Sequence, residues 1–186
     1  MRVAGVVLAA GASRRLGEAK QLVMLAGERL LERAARVARE AGLRPVIVVL
    51  GAEGERIRAE CELGDAVVVV NEGWSEGMGS SVRVGVGAVP GGSGVVVMTC
   101  DQPAVTAEHL LRLMEGDEIS GSGYAGRLGV PAFFPAASVG MLAELGGDAG
   151  ARGALGKARA VGLAGGEVDV DTAESLAEAR RRFGGA

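Results

Sequence analysis

Three clusters of polar side chains interrupt an otherwise valine- and alanine-rich sequence, and their types suit the handling of phosphate. The first is the run V-V-L-A-A-G-A-S-R-R-L-G-E-A-K, Val6 to Lys20, in which apolar residues give way to small ones and then to cations. Gly11 and Gly17 bracket a loop where a missing Cβ lets backbone N–H groups approach a ligand closely. Arg14, Arg15 and Lys20 bring positive charge to that loop. Lys20 stands apart because the chain has only one other lysine, Lys157, and uses arginine elsewhere, so a compact ammonium reads as selected here. The second cluster is Asp101, followed by the turn-forming Gln102-Pro103, and the third is Asp169 with Asp171. A glycine-rich cationic loop facing carboxylates is what a Mg²⁺-nucleotide requires, the loop cradling phosphates and the acids holding the metal.

Each cluster also has a plainer reading. Arg2, the apolar run and Ala10-Gly11-Ala12 have the outline of a signal peptide, but a single-arginine n-region and a short apolar run argue against it. An ordinary strand and turn with surface arginines would give the first cluster too, since neither G-x-x-x-x-G-K-[ST] nor G-x-G-x-x-G is present there. Each aspartate could equally be a helix N-cap or a solvated loop acid. His109, the only histidine, reads as a solvated or hydrogen-bonded residue rather than a catalytic one. Trp74 sits on a glycine-rich loop, where it either stacks on a ligand or packs on the protein. Gly77, Gly79 and the loop around Tyr124 are candidate segments for closing over substrate.

The elements that must position these clusters alternate along the chain. Val3–Ala9 is a short β-branched run suited to a central strand covered on both faces. Leu30 to Ala41 has helical spacing with Gly42 placed as a C-cap, and Val46 to Leu50 is the next strand. A charged helix over Glu53 to Glu60, a strand over Ala66 to Val70, a helix from Ser80 to Val86 and a strand over Gly94 to Thr99 follow. Thr106 reads as the N-cap of a helix to Met114, with Leu110, Leu111 and Met114 facing inward. Ser120 to Gly129 is a Gly/Ser-rich stretch, Val130 to Phe134 a strand, and Ala136 to Leu145 helix-like. Val168 to Asp171 is a final short strand, and Thr172 caps a closing helix through Phe183. This βαβα order predicts a mostly parallel sheet between two helical layers, with ligands at the carboxyl ends of the strands.

Composition narrows the classes. At 186 residues the chain fits one domain, expected to span 1–186, with no repeat and no long linker. A net charge of −3, no basic stripe and 3% aromatic residues exclude a nucleic-acid surface. Cys61 and Cys100 are too few for a disulfide framework or zinc site, so a reducing cytoplasm is expected. No apolar stretch approaches the roughly 18 residues that span a membrane, so no membrane partner is expected.

The motifs together resemble a family. L-A-A-G-A-S-R-R-L-G-E-A-K is similar to the signature L-A-A-G-x-S-x-R-x-G-x-x-K of molybdopterin nucleotidyltransferases and their wider NTP transferase superfamily. N-E-G-W-S-E-G-M-G-S-S-V at Asn71 to Val82 and C-D-Q-P at Cys100 to Pro103 resemble its second and metal-binding blocks. G-V-P-A-F-F at Gly129, G-D-A-G-A-R at Gly147 and D-V-D-T at Asp169 follow in family order, and D-Q-P looks more like the cytidylyltransferase than the guanylyltransferase branch.

The resemblance implies a three-layer α/β/α Rossmann-like nucleotidyltransferase fold. It also implies transfer of a nucleoside monophosphate, CMP from CTP being favoured, to the phosphate of molybdopterin with release of pyrophosphate. By that match Leu8, Ala9, Ala10, Gly11 and Ser13 surround the phosphates, and Arg15 and Lys20 are the catalytic triphosphate-binding cations. Gly79, Ser80 and Ser81 lie near the base or the acceptor. Asp101 is the Mg²⁺ ligand, with Asp171 as the second acid and Asp169 still open as an alternative. Molybdoenzymes are the downstream partners implied. An acceptor phosphate is already ionised at neutral pH, so no general base is needed, and the barrier lies in bringing anions together. Rival readings are another phosphorylated acceptor, such as a sugar phosphate or methylerythritol phosphate, or a non-catalytic accessory protein for cofactor delivery.

Two departures from the pattern bear on the acceptor side. The final block reads Asp171-Thr172-Ala173-Glu174-Ser175 where D-T-P-E-D is usual, and Gly129-Val130-Pro131 stands where many relatives have G-H-P.

Overall fold

The computed structural model describes residues 2–145 and 151–185. Its centre is a sheet of seven strands in the spatial order β5-β4-β1-β6-β8-β7-β9. The strands are β1 (Val3–Ala9), β4 (Val46–Leu50), β5 (Val67–Val70), β6 (Gly94–Thr99), β7 (Ser120–Tyr124), β8 (Arg127–Phe134) and β9 (Arg159–Gly162). All neighbouring pairs are parallel except the two made by β8, which runs against β6 and β7. A separate two-stranded ribbon joins β2 (Met24–Leu25) to β3 (Glu28–Arg29).

The apolar runs form central strands because both faces of each are covered. Val7, Val48, Val96 and Met98 pack on one side, with Leu31 and Ala35 of α1 (Leu30–Glu40), Ile57 of α2 (Gly54–Glu60) and Leu110 and Leu113 of α4 (Ala107–Leu113). Val6, Ile47, Val49, Val95 and Val97 face the other side, against Val82 and Val86 of α3 (Met78–Gly87) and the 3₁₀ segments Ala136–Glu144 and Ala151–Ala154. Alternate residues of one strand therefore feed two cores, as the two-residue period of a strand requires. Gly85 lets α3 lie close on the sheet: a Cβ there would sit 2.5 Å from Val6 Cγ1 and 2.8 Å from Val49 Cγ2. A third core joins Val23, Leu25 and Leu30 to Val168, Val170, Leu176 and Ala179, seating α5 (Ala173–Phe183).

The expected three-layer architecture holds, with local corrections. Leu111 points outward, 52% exposed, and Leu113 takes the inward place assigned to it, because one turn from Leu110 brings position 113 back to the buried face. Ser120 to Gly129 is a hairpin rather than a loop, turning at Ala125 and Gly126, both with positive φ. Ala136–Glu144 is 3₁₀ rather than α-helical. Residues 168–171, expected as a final short strand, form no strand and join no sheet. The β2–β3 ribbon and β9 were not foreseen. Of the G-D-A-G-A-R block at Gly147, only Ala151 and Arg152 fall within the described residues. Cys61 and Cys100 are free and buried. Among the described residues, no helix is long and apolar enough to cross a membrane.

Candidate functional site

The loop after β1 is folded by its own side chains. Ser13 and Gly17 both have positive φ, 51° and 83°. The N–H groups of Leu16 and Gly17 both donate to the Ser13 carbonyl, at 3.1 and 3.2 Å. The Ser13 hydroxyl accepts from the Lys20 backbone N–H at 3.1 Å, so the loop doubles back and brings Lys20 beneath its own mouth. Gln21, with no exposed surface, donates its carboxamide to the carbonyls of Ala9 at 2.6 Å and Gly11 at 3.1 Å. The intervening Ala10 carbonyl accepts from the Ala52 N–H at 3.0 Å.

Lys20 is the hub of the charged groups. Its Nζ lies 2.5 Å from Asp101 Oδ2 and 2.7 Å from Asp171 Oδ1, while Arg15 donates to the other oxygen of Asp171 at 2.9 Å. Asp101 follows β6, the strand beside β1, where the sheet rule places ligand contacts. Asp171 arrives from the chain's far end. The Val170 N–H donates to the Asp101 carbonyl at 2.9 Å, which lays residues 168–171 across the end of β6. The Ser175 hydroxyl then accepts from the N–H groups of Asp171 and Thr172 at 2.9 and 3.0 Å, and Thr172 Oγ1 accepts from the Ser175 N–H. The serine found where the family pattern has an acid thus closes a reciprocal N-cap and fixes the backbone of Asp171.

The charge states follow from these contacts. Burial opposes the charge on Lys20, but Asp101 and Asp171 outweigh it and hold the ammonium above the ordinary lysine value. Burial likewise opposes ionisation of Asp171, yet Lys20 and Arg15 keep its carboxyl below the usual range. Burial, reinforced by the charge of Asp101, pushes Asp169 up to about 6. The buried Cys100 thiol is pushed up to about 12 and stays neutral beside Asp101.

Two clefts open at this rim. One, of about 330 Å³, is walled by Leu8 to Gly11 and Arg14 on one side and by Trp74, Ser75, Gly77, Met78 and Ser81 on the other. The second, of about 340 Å³, is walled by Arg127 to Val130 of β8 with Gln102, Tyr124, Arg152, Asp169 and Asp171, and Arg15 at its edge. Lys20, Met78, Thr99 and Asp101 belong to both. Ser13 and Arg15 border a smaller hollow of about 220 Å³ beside them.

Most of the residues singled out from sequence meet here, but not all. Gly79 and Ser80 do not line either cleft. The Ser80 hydroxyl accepts from Asn71 at 2.8 Å and faces the carbonyls of Gly77 and Gly73 at 2.8 and 3.1 Å, so it braces the loop from behind instead of meeting a ligand. Ser81 accepts from the same amide at 2.9 Å and does reach the cleft. Half-buried Trp74 forms cleft wall. His109 is buried away from both clefts, with Nε2 at 2.7 Å from Ser122 Oγ. Since that hydroxyl donates to the Pro131 carbonyl at 2.7 Å, the imidazole must be the donor to it.

Several further residues join the site by bracing its walls. Gln102 donates to Tyr124 Oη and the Gly166 carbonyl, and Tyr124 Oη donates to the Val130 carbonyl, which ties the second cleft's wall to the turn after Asp101. Asn71 and Gln21 brace the two walls of the first. For Gln21 the one signal was a polar residue opening the apolar run Q-L-V-M-L.

The acids fit a divalent cation. Two carboxylates already converge on one ammonium, and Asp169 lines the same cleft as both. No group of three or more His, Cys, Asp or Glu among the described residues forms a protein-only cage. The two converging carboxylates, Asp101 and Asp171, are the residues that could hold a divalent cation shared with substrate phosphates.

Known proteins are similar to this chain in sequence and in fold. Residues 5–161 match the family model described as the MobA-like NTP transferase domain. The nicotine blue oxidoreductase of Paenarthrobacter nicotinovorans is 39% identical over 113 residues, 60% of this chain and 55% of that protein. A probable molybdenum cofactor guanylyltransferase of Opitutus terrae is 38% identical over 106 residues, 56% of this chain and 50% of that protein. The chain thus matches about half the length of each of these relatives. The crystal structure of Rv0371c from Mycobacterium tuberculosis H37Rv superposes with a TM-score of 0.84 at 33% identity, covering 96% of this chain and 97% of that one. Its complex with manganese superposes at 0.82 with 31% identity, covering 98% and 100%. With the domain model spanning the loop, Lys20, Asp101 and most of the sheet, this chain belongs to the family of MobA-like NTP transferase domains.

Proposed function

We propose that this chain is a Mg²⁺-dependent nucleotidyltransferase that moves a nucleoside monophosphate from an NTP, with CTP preferred, to the phosphate of molybdopterin, releasing pyrophosphate. The observation that carries the reading is the meeting of two clefts at Lys20 and Asp101. A transfer reaction needs a donor and an acceptor on opposite sides of one phosphorus, and here two ligand-sized spaces share one cation and one acid. Family membership does not set the reaction by itself, since one relative is named for oxidoreduction and another for guanylyl transfer.

In this reading the first cleft takes the NTP, with the loop from Ala9 to Ser13 around its phosphates and the Trp74–Ser81 wall beside the base. Asp101 and Asp171 hold the divalent ion, which when bound screens the charge of the donor phosphates. Lys20 exchanges a carboxylate for a phosphate oxygen as the nucleotide enters, and Arg15 follows from Asp171 toward the departing pyrophosphate. The acceptor phosphate enters from the second cleft, where Arg127 and Arg152 supply cations and Gln102 and Tyr124 supply hydrogen bonds. No general base is required because the acceptor oxygen arrives ionised, so rate depends on neutralising and aligning anions. The unit acts as one domain over residues 1–186, in a reducing cytoplasm that suits two free, buried cysteines.

The test is pyrophosphate release with each of the four NTPs and Mg²⁺, against molybdopterin, methylerythritol phosphate and a sugar phosphate. Turnover with CTP and molybdopterin is expected. Preference for GTP would move the chain to the guanylyl side, turnover with another acceptor would reassign the second cleft, and nucleotide binding without turnover would leave an accessory role.

A further inference from the structure

Gln21 has a use that the motifs do not announce. It is wholly buried, yet its Nε2 spends both hydrogens on the carbonyls of Ala9 and Gly11, while its Oε1 finds no partner in the protein among the described residues. A buried amide with an unpaired oxygen is unfavourable compared with an apolar residue of the same shape, so the two bonds it makes call for an explanation. The explanation lies in peptide geometry. In a trans peptide the C=O of one residue and the N–H of the next point in opposite directions. Drawing the Ala9 and Gly11 carbonyls inward therefore turns the N–H groups of Ala10 and Ala12 outward. The Ala10 carbonyl, between them, is held by the Ala52 N–H, which turns the Gly11 N–H to the side opposite Ala52.

Three successive donors are thus aimed by three anchored carbonyls. Among the described residues, none accepts a hydrogen bond from the N–H of Ala10, Gly11 or Ala12. Ala10 and Gly11 line the first cleft, and a Cβ added at Gly11 would meet nothing within 4 Å, so a ligand has room to approach this backbone. Successive outward N–H groups make an anion-binding concavity whose strength depends on their being held in place beforehand.

We infer that Gln21 is the positioning residue of this loop, its carboxamide fixing the peptide planes so that the Ala10, Gly11 and Ala12 N–H groups face a polyphosphate. The inference rests on the reading of the first cleft as the triphosphate site. The residue never touches the ligand; it acts from behind the backbone that does.

Inorganic tripolyphosphate with Mg²⁺ is the probe, because it lacks a base and reads the loop alone. Gln21→Met keeps volume and removes both donors, and Gln21→Asn keeps an amide that is one methylene too short to span both carbonyls. Thermal unfolding establishes that each variant is folded at the assay temperature. Titration calorimetry is expected to show tripolyphosphate binding weakened by about tenfold or more in both, the equivalent of one lost hydrogen bond to a charged group. Backbone amide resonances of Ala10, Gly11 and Ala12 are expected to move downfield on adding tripolyphosphate to the wild type and to move far less in the variants, a readout that a purely structural role would leave unchanged. Wild-type affinity and wild-type amide shifts in Gln21→Met would overturn the positioning role alone. Absence of tripolyphosphate binding by the unaltered protein would overturn the triphosphate reading together with it.

Discussion

Replacing Lys20 with methionine separates its two jobs, because it deletes the ammonium while keeping most of the side chain's volume. In the ligand-free protein that ammonium is shared by Asp101 at 2.5 Å and Asp171 at 2.7 Å, with the three side chains 17%, 11% and 30% exposed. Removing one member of a well-buried ion pair costs about 3–5 kcal/mol, but Asp171 retains Arg15 and is partly solvated, so about 2 kcal/mol is the appropriate figure. The same uncompensated charge should attract a divalent cation. Lys20 no longer competes for the two carboxylates, and Mg²⁺ affinity should rise by about tenfold or more, restoring the lost stability as metal is added. Turnover moves the opposite way. Without a cation at the transferred phosphoryl group, kcat should fall by about 10²–10³-fold while KM for the nucleotide moves by less than about tenfold. Urea unfolding with and without MgCl₂, read beside pyrophosphate release under saturating NTP, tests all three effects. Near-normal turnover in Lys20→Met, or a variant as stable as the parent and no tighter for Mg²⁺, would refute the reasoning.

Other consequences are open to simpler measurements. His109 is buried and held down to about 4 by desolvation and then by Arg112, against about 6.5 when unfolded. Between those values the unfolded chain binds a proton that the folded chain does not, so this stability is complete above pH 6.5 and is lost as pH falls toward 4. Asp169, raised to about 6, contributes with the opposite sign over the same range, so the reading is a difference: between pH 7 and pH 4 the stability of the parent should fall by about 2 kcal/mol relative to His109→Gln in urea unfolding, and parallel pH profiles would contradict the assignment. Gly85→Ala gains about 1 kcal/mol of helix propensity but forces a Cβ against Val6 and Val49, costing about 1–3 kcal/mol, so calorimetry should show a lowered Tm. Ser175→Ala removes the cap that fixes Asp171. It should cost about 1 kcal/mol in denaturant unfolding and weaken Mg²⁺ binding, whereas loss of stability with full metal affinity would detach Asp171 from the cap.

What the sequence disclosed follows from how each signal arises. β1, β4 and β6 were legible because burial on both faces demands continuous apolar runs. Lys20 was legible by rarity, and Asp101 by standing at a strand end. β7 was hidden because its sequence is S-G-S-G-Y. Ser120 and Ser122 are buried by donating to the carbonyls of Leu113 and Pro131, and a Cβ at Gly121 would lie 3.2 Å from Leu155, so neither hydrophobicity nor branching marks the strand. β9 is a four-residue edge with one buried side chain, too short for a period to show. Asp169 and Asp171 share a strand-like face by spacing, and only the bond from Val170 to Asp101 brings Asp171 to Lys20. The bonds of Ser80 to Asn71, Gly73 and Gly77 were not legible, because a hydroxyl in a glycine-rich block looks alike whether it serves a ligand or a neighbouring amide.

The pairing of Lys20 with Asp171 spans 151 residues of chain, and it sets an order in time as well as in space. At about 5–20 residues per second, a ribosome needs roughly 8 to 30 s between making the lysine and making the acid that completes its surroundings. During that interval the nascent protein already carries its glycine loop, and for the latter part of it Asp101 as well. On the proposed reading, a polypeptide arrested before Val168 would hold the loop amides beside a lysine with one acid, and is expected to bind nucleotide without the second carboxylate for a metal. Of the charged groups that meet at Lys20, Asp171 is therefore the last to be made.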